Sequence, residues 1–294
     1  MTLRIDVHDL RLVYGDVTAL DGLTFSLEPN RIYGLLGRNG SGKTSLLSVL
    51  AAFRKPTAGE VLAGGQPVWE NPAVTSQIAF IRESGDTVED SEKPKEALRF
   101  AEYFRPNWDK AYAEELIERF QVPMDTKIGE MSRGQRSALG IVLGLAARAP
   151  ITILDETYLG MDAPSRYIFY DEILNEYMAH PRTFIISTHL IEEVSRIFEE
   201  VLIIDKGRLL LQDETEALLT RGVAITGPED VVERHIGGLT VIGERQLGRT
   251  RSVMVYGSLD EARARQMREA GLDLEPLALQ DLFVHLTAPK GGVP

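Results

Sequence analysis

The chain of 294 residues is long enough to bury a substantial core and to carry a second, smaller domain. Its 44 acidic side chains outnumber 32 basic ones, for a formal net charge of −12, so it lacks the basic footprint of a general nucleic-acid binder and no nucleic-acid partner is expected. It has no cysteine, which excludes disulfides and cysteine-ligated metals. The first residues carry no apolar signal core, and the longest apolar-rich stretch, 138–147, is too short for a membrane span; a membrane role is expected only through a partner.

Leu3, Ile5 and Val7 alternate with polar residues, as do Leu23, Phe25 and Leu27, and both segments read as half-buried strands. The apolar run Ile32-Tyr33-Gly34-Leu35-Leu36 reads as a buried strand. A glycine-rich loop follows, then a helix over 44–53 with Leu46, Leu47 and Leu50 at helical spacing. Further buried strands are expected at 78–81, 151–154 and 184–186, separated by helical patterns, which predicts an α/β fold with a largely parallel sheet covered by helices. Residues 95–120 read as a helical insertion without a strand, and a helix is expected to start near Ser137. Residues 201–204 and 208–211, joined by Asp205-Lys206-Gly207, read as a hairpin.

The composition changes near Gly222, giving domains 1–222 and 223–294. The second reads strand 223–226, helix 228–236, strands 239–243 and 252–256, helix 259–270, strand 272–275 and a last helix over 279–286. Pro228 suits a first helical turn, Ser258 with Glu261 a capping box, and Gly271 a helix stop. The β-α-β-β-α-β order predicts a small ferredoxin-like α+β domain.

Gly37-Arg38-Asn39-Gly40-Ser41-Gly42-Lys43-Thr44 fits G-x-x-x-x-G-K-[ST] between a strand and a helix. Glycines let backbone N–H groups turn inward around phosphates, and the helix presents its positive end to the same anion. Lys43 is expected to reach the β- and γ-phosphates, and the Thr44 hydroxyl to ligate Mg²⁺. Ile151-Thr152-Ile153-Leu154-Asp155-Glu156 is a strand ending in two carboxylates: Asp155 suits Mg²⁺ and Glu156 a general base for the attacking water. His189, after the apolar run and Ser187-Thr188, can hydrogen-bond the γ-phosphate or serve packing alone. Met131-Ser132-Arg133-Gly134-Gln135 precedes a helix and reads as either a second anion site or an ordinary cap.

In this order the motifs resemble the ATP-binding subunit of an ABC transporter over about residues 3 to 215. The resemblance implies a P-loop NTPase (RecA-like) sheet, an antiparallel β subdomain and a helical subdomain at about 84–135. It makes Gly37–Thr44, continued by Ser45, the Walker A loop and Asp155-Glu156 the end of Walker B. Ser132, Gly134 and Gln135 match the signature, Asp162 the D-loop aspartate, His189 the switch histidine, and Tyr14 the aromatic that stacks on adenine. It further implies a head-to-tail pair with a second ABC ATPase subunit, identical or related, in which Ser132 and Gly134 act on the partner's nucleotide. ATP with Mg²⁺ would then drive integral-membrane subunits from the cytoplasmic face of the membrane. Residues 104–109 and 279–284 are similar to an exporter-type subgroup. The membrane subunit is expected to dock around 83–92 and the helical insertion.

The sequence departs from this pattern in places. Glu83 stands where a glutamine is usual; a carboxylate about 5 Å from γ-phosphate repels it by roughly 3 kcal/mol at an effective dielectric near 20, unless Glu83 binds Mg²⁺ directly. Arg133 adds charge to the signature, Thr157 lacks proline's fixed φ, and Tyr158 and Leu159 are larger than usual at a subunit interface. The alternative is a non-transport ABC ATPase acting on a cytosolic macromolecule. One ATPase cassette, no long heptad insertion and the acidic charge argue against it.

Overall fold

The computed structural model describes residues 3–82, 89–257 and 259–287. Glu83 and Ser258 therefore lie outside the described residues, as does part of the expected docking stretch. The chain divides into two compact units, Met1–His189 with Leu202–Gln212, and Leu190–Val201 with Asp213–Pro294.

The first unit begins with two long antiparallel strands, β1 (Ile5–Tyr14) and β2 (Val17–Leu27), whose alternating Ile5, Val7, Leu23, Phe25 and Leu27 are buried. The all-apolar β3 (Ile32–Leu36) is buried throughout and feeds the glycine loop and α1 (Lys43–Leu50). β4 (Ala58–Ala63) and β5 (Gln66–Pro67) join the first two strands in a sheet of order β2-β1-β4-β5. The short α2 (Pro72–Thr75) leads into β6 (Ile78–Arg82).

The helical stretch 95–120 holds two helices, α3 (Pro94–Phe104) and α4 (Lys110–Arg119). Pro106 forces the break, because it has no N–H to donate and biases the preceding residue away from helix; Arg105 is extended at φ −98°, ψ 115°. Asp109 then caps α4 by accepting from Tyr112 N at 2.9 Å. α5 (Arg133–Ala146) starts four residues earlier than the apolar pattern suggests. Ser132 accepts from Gln135 N at 3.2 Å while Ser132 N donates to Gln135 Oε1 at 2.9 Å, a capping box that makes Ser132 the N-cap.

β7 (Ile151–Asp155), α6 (Ala163–Ala179) and β8 (Thr183–Thr188) complete the parallel part of the second sheet. After α7 (Ile191–Val194), β9 (Glu200–Asp205) and β10 (Arg208–Glu214) form its far edge, with Lys206 and Gly207 at positive φ in the turn. The order is β10-β9-β3-β8-β7-β6, with β3, β8, β7 and β6 mutually parallel.

Two carboxylates of α6 are buried among guanidinium groups. Glu172 pairs with Arg119 of α4 and accepts from Tyr112 Oη at 3.2 Å. Glu176 Oε1 lies 3.1 Å from Arg148 Nη1 and 2.9 Å from Arg182 Nη1, the latter without hydrogen-bond alignment. Burial and these carboxylates push the Tyr112 phenol far above its ordinary range.

In the second unit α8 (Thr215–Arg221) precedes β11 (Gly222–Pro228), α9 (Glu229–His235), β12 (Thr240–Leu247), β13 (Thr250–Tyr256), α10 (Glu261–Glu269), β14 (Asp273–Pro276) and α11 (Leu279–Leu286). The sheet is antiparallel in the order β12-β13-β11-β14, over a core of Ile225, Val232, Val253, Val255, Met267 and Leu272. Pro228 ends β11 and stands at the N-cap of α9, one residue before the first turn. Asp260 caps α10, accepting from Arg263 N at 2.7 Å. Gly271, at φ 82°, closes that helix with Leu272 N donating to Met267 O at 3.0 Å.

Candidate functional site

Three neighbouring parallel strands end at one level. Leu36 of β3 is paired with Thr188 of β8, and Asp155 of β7 with Ser187. The residues that follow them, from Gly37, Glu156 and His189, therefore emerge side by side at the carboxyl ends of the strands, where open α/β sheets place their ligands. A cleft of about 660 Å³ opens there. It is lined by Asn39, Gly40, Gly42, Lys43, Thr44 and Ser45 of the loop and helix start, by Val17, Thr18 and Ala19, and by Arg133, Glu156, Leu159 and His189.

The loop needs its glycines. A Cβ on Gly37 would lie 2.8 Å from Ile204 O, and Gly42, at φ 106°, would place one 2.6 Å from Ala19 O. The Lys43 side chain is buried; Nζ donates to Gly37 O at 2.8 Å and lies 3.5 Å from Glu156 Oε1. Ser41 Oγ is buried inside the loop with no hydrogen-bond partner among the described residues, an unmet polar atom in the wall of the glycine cradle. Arg38 is exposed and outside the lining.

Asp155 is buried at the end of β7. Ser187 Oγ donates to its Oδ1 at 2.5 Å. Burial pushes its carboxyl above the ordinary range, opposed by the Ser187 and Thr44 hydroxyls and by Lys43, and reinforced by the neighbouring Glu156. The Thr44 hydroxyl and the Asp155 carboxylate thus share one spot beside Lys43. This is a hard oxygen pair of the kind that holds Mg²⁺ together with phosphate oxygens.

Glu156 adopts φ 49°, an uncommon conformation for a non-glycine residue that turns the chain sharply after the strand. Ser187 Oγ accepts from Glu156 N at 3.1 Å. The carboxylate stands between Lys43 and His189, with Oε2 3.3 Å from His189 Nδ1.

The other expected residues lie apart from the cleft lining. Tyr14 is exposed at the end of β1, with the Arg54 guanidinium 5.9 Å from its ring centre. Asp162 caps α6, accepting from Ser165 N at 3.0 Å; hydrogen bonds from Ser165 hold its carboxyl below the ordinary range. Ser132 and Gln135 are the capping box of α5, and Gly134 packs against the Gly160 carbonyl so closely that a Cβ would sit 2.5 Å from it.

Tyr158 is a correction. It is not an interface side chain of the described unit; it is 1 % exposed, and its hydroxyl meets Thr188 Oγ1 at 2.9 Å, His189 N at 3.0 Å and His189 Nδ1 at 3.1 Å. Its contacts lie about thirty positions away in the chain, so no local pattern announces them.

The glycine cradle, the buried lysine and the strand-end carboxylates define a P-loop ATPase site on a parallel sheet. Residues 20–158 match the family model described as ABC transporter. Those residues carry the β3 to β7 part of the site, so the match falls on the P-loop ATPase core itself. It is similar to the "Nod factor export ATP-binding protein I" of Burkholderia lata, 28 % identical with 96 % of each chain covered. The protein of the same name from Rhizobium sp. (strain N33) is 26 % identical, again over 96 % of each. Among solved structures, an ATP-binding subunit of an ABC transporter superposes with a TM-score of 0.63 at 21 % identity, over 73 % of this chain and 90 % of that one. A dimeric ATP-binding cassette in a post-hydrolysis state bound to ADP and Pi gives 0.64 at 17 %, over 72 % and 98 %. At these identities the structures speak for the fold.

Proposed function

We propose that the chain hydrolyses Mg-ATP in a head-to-tail pair and thereby powers export through integral-membrane subunits, to which it binds from the cytoplasmic face. The observation that carries this reading is the convergence of Lys43, Thr44, Glu156 and His189 on one cleft, with the buried Asp155 joined to the Thr44 hydroxyl. Among the described residues no helix is long and apolar enough to cross a membrane. The export ATP-binding proteins it resembles over nearly their whole length favour export.

In this reading Lys43 leaves Gly37 O for the β- and γ-phosphates, and the loop amides hold the rest of the triphosphate. Thr44 and Asp155 hold Mg²⁺, which when bound neutralises charge on the β- and γ-phosphate oxygens. Glu156 orients the attacking water and accepts its proton, and His189 donates a hydrogen bond to the γ-phosphate. Tyr14 stacks on adenine. Ser132, Gly134, Gln135 and Asp162 face the partner's nucleotide. Residues 1–222 form the ATPase domain, and 223–294 a small ferredoxin-like domain that adds to pairing or control. The membrane subunit docks beside α3, where a largely apolar cleft of about 480 Å³ lined by Ile81, Phe100, Phe104 and Leu143 carries Glu89 and Glu92 at its rim.

The test is Glu156→Gln in the full chain. Turnover of Mg-ATP should fall by at least about 100-fold while ATP stays bound and the pair stays closed. Turnover equal to the parent's would remove Glu156 from the base role.

A further inference from the structure

We propose that the turn Lys206-Gly207 is a positioning element for the phosphate loop: the Gly207 N–H holds the Ser41 carbonyl outward and thereby aims the Gly42 N–H into the cradle. This rests on the reading of Gly37–Thr44 as the triphosphate site.

Three backbones meet behind the loop. Gly207 N donates to Ser41 O at 2.9 Å, and Gly207 O accepts from Asp21 N at 2.8 Å. The turn thus ties the loop to β2 through its own peptide groups. The peptide bonds of the described residues are trans. In a planar trans peptide the C=O and the following N–H point in opposite directions. A Ser41 carbonyl drawn toward Gly207 therefore sends the Gly42 N–H the other way. Gly42 lines the cleft, whereas Ser41 and Gly207 stand outside that lining, so the other way is toward the cleft. Inward backbone N–H groups are what a phosphate cradle is made of.

The contact is too close for side chains. A Cβ on Gly207 would lie 2.5 Å from Ala19 O, and one on Gly42 would lie 2.6 Å from the same oxygen and 3.7 Å from Gly207 Cα. Lys206 and Gly207 have φ 48° and 75°, the pair of left-handed residues that a two-residue hairpin turn requires. Ile204 of the same hairpin reaches the start of the loop, where its carbonyl oxygen would lie 2.8 Å from a Cβ on Gly37. Both ends of the glycine stretch therefore rest on β9 and the turn that follows it.

Asp21 fastens the joint from outside. Its Oδ2 accepts from Arg208 Nε at 3.0 Å and Nη2 at 2.6 Å, and its Oδ1 accepts from Arg11 Nη2 at 2.7 Å. One residue thus holds two consecutive members of the hairpin, Gly207 by its backbone N–H and Arg208 by its carboxylate. Exposed ion pairs of this kind add little to folding stability. What this one restrains is the turn that faces the loop. If the hairpin only filled space, loosening it would reduce the number of folded sites and leave the affinity of those that remain unchanged.

The experiment has two arms, both on the full chain. In the first, amide hydrogen exchange of the parent is followed by NMR without nucleotide. The Gly207 N–H should exchange at least about 100-fold more slowly than an open turn amide. Exchange at the rate of an open turn overturns the proposal, whether or not any variant folds. In the second, Gly207→Ala and the milder Asp21→Ala, which leaves every backbone bond of the joint available, are titrated with ATP by calorimetry. Kd should rise about tenfold in Gly207→Ala and about threefold in Asp21→Ala, with one site kept per folded chain. The parent's Kd in both variants, whatever the number of sites, overturns the proposal. A parent that binds no ATP overturns the cradle reading and this proposal with it, whereas a parent that binds ATP with a freely exchanging Gly207 amide overturns this proposal alone.

Discussion

The buried Lys43 ammonium holds two weak neighbours, Gly37 O at 2.8 Å and Glu156 Oε1 at 3.5 Å, and both are what a triphosphate would replace. Charge-assisted bonds of this kind are stronger than neutral ones by roughly a factor of two. Lys43→Ala should therefore weaken ATP binding at least about tenfold, read by calorimetric titration, while thermal unfolding shifts little. Unchanged affinity would detach the loop from phosphate. The residues of this centre were largely legible beforehand, because Gly37 to Thr44 is contiguous and Asp155-Glu156 ends an apolar run. Tyr158 was legible only as a bulky departure. Its hydroxyl meets Thr188 and His189, which come to it through the fold and not through spacing in the chain. Arg133 and Leu159 were likewise noticed as substitutions, yet nothing local showed that they line this cleft.

At the level of the helices, end effects decided what pattern could not. Residues 95–120 read as a helical insertion, and it is Pro106 that divides it into α3 and α4. Ser132 to Gln135 reads equally as a cap or an anion site, and the structure shows the cap, which leaves its exposed polar face in place. The start of α4 gives a pH-dependent prediction. The Tyr112 backbone N–H holds the Asp109 carboxyl below its ordinary 3.8, opposed by burial and then helped by the Arg148 guanidinium. Its folded-state pKa is depressed, so its stabilisation is present above the unfolded value and fades as pH falls through the folded one. Asp109→Asn should lower stability by a few tenths to about 1 kcal/mol at neutral pH. The gap should close as pH drops below 3.8, measured by urea unfolding from pH 7 to 3. A gap independent of pH would mean that the charge is idle there.

For the whole molecule, the strand alternation on either side of Gly222 was readable because each segment keeps a single period. The order of the sheets was not, since β3 lies between β9 and β8, strands more than 140 residues later in the chain. What the assembled fold adds is a joint between two loops. Gly134, at the head of α5, and Gly160, in the turn after Glu156, meet backbone to backbone with no room for a methyl group. A movement of the Glu156 turn would therefore press directly on the head of α5. In the head-to-tail pair proposed above the Ser132 loop would face the opposite nucleotide, and each chain would pass the news of its own lost phosphate across the seam. Wild-type protein blended with Glu156→Gln chains should then lose turnover as the square of the wild-type fraction, whereas a straight-line loss would mean two engines running in ignorance of each other.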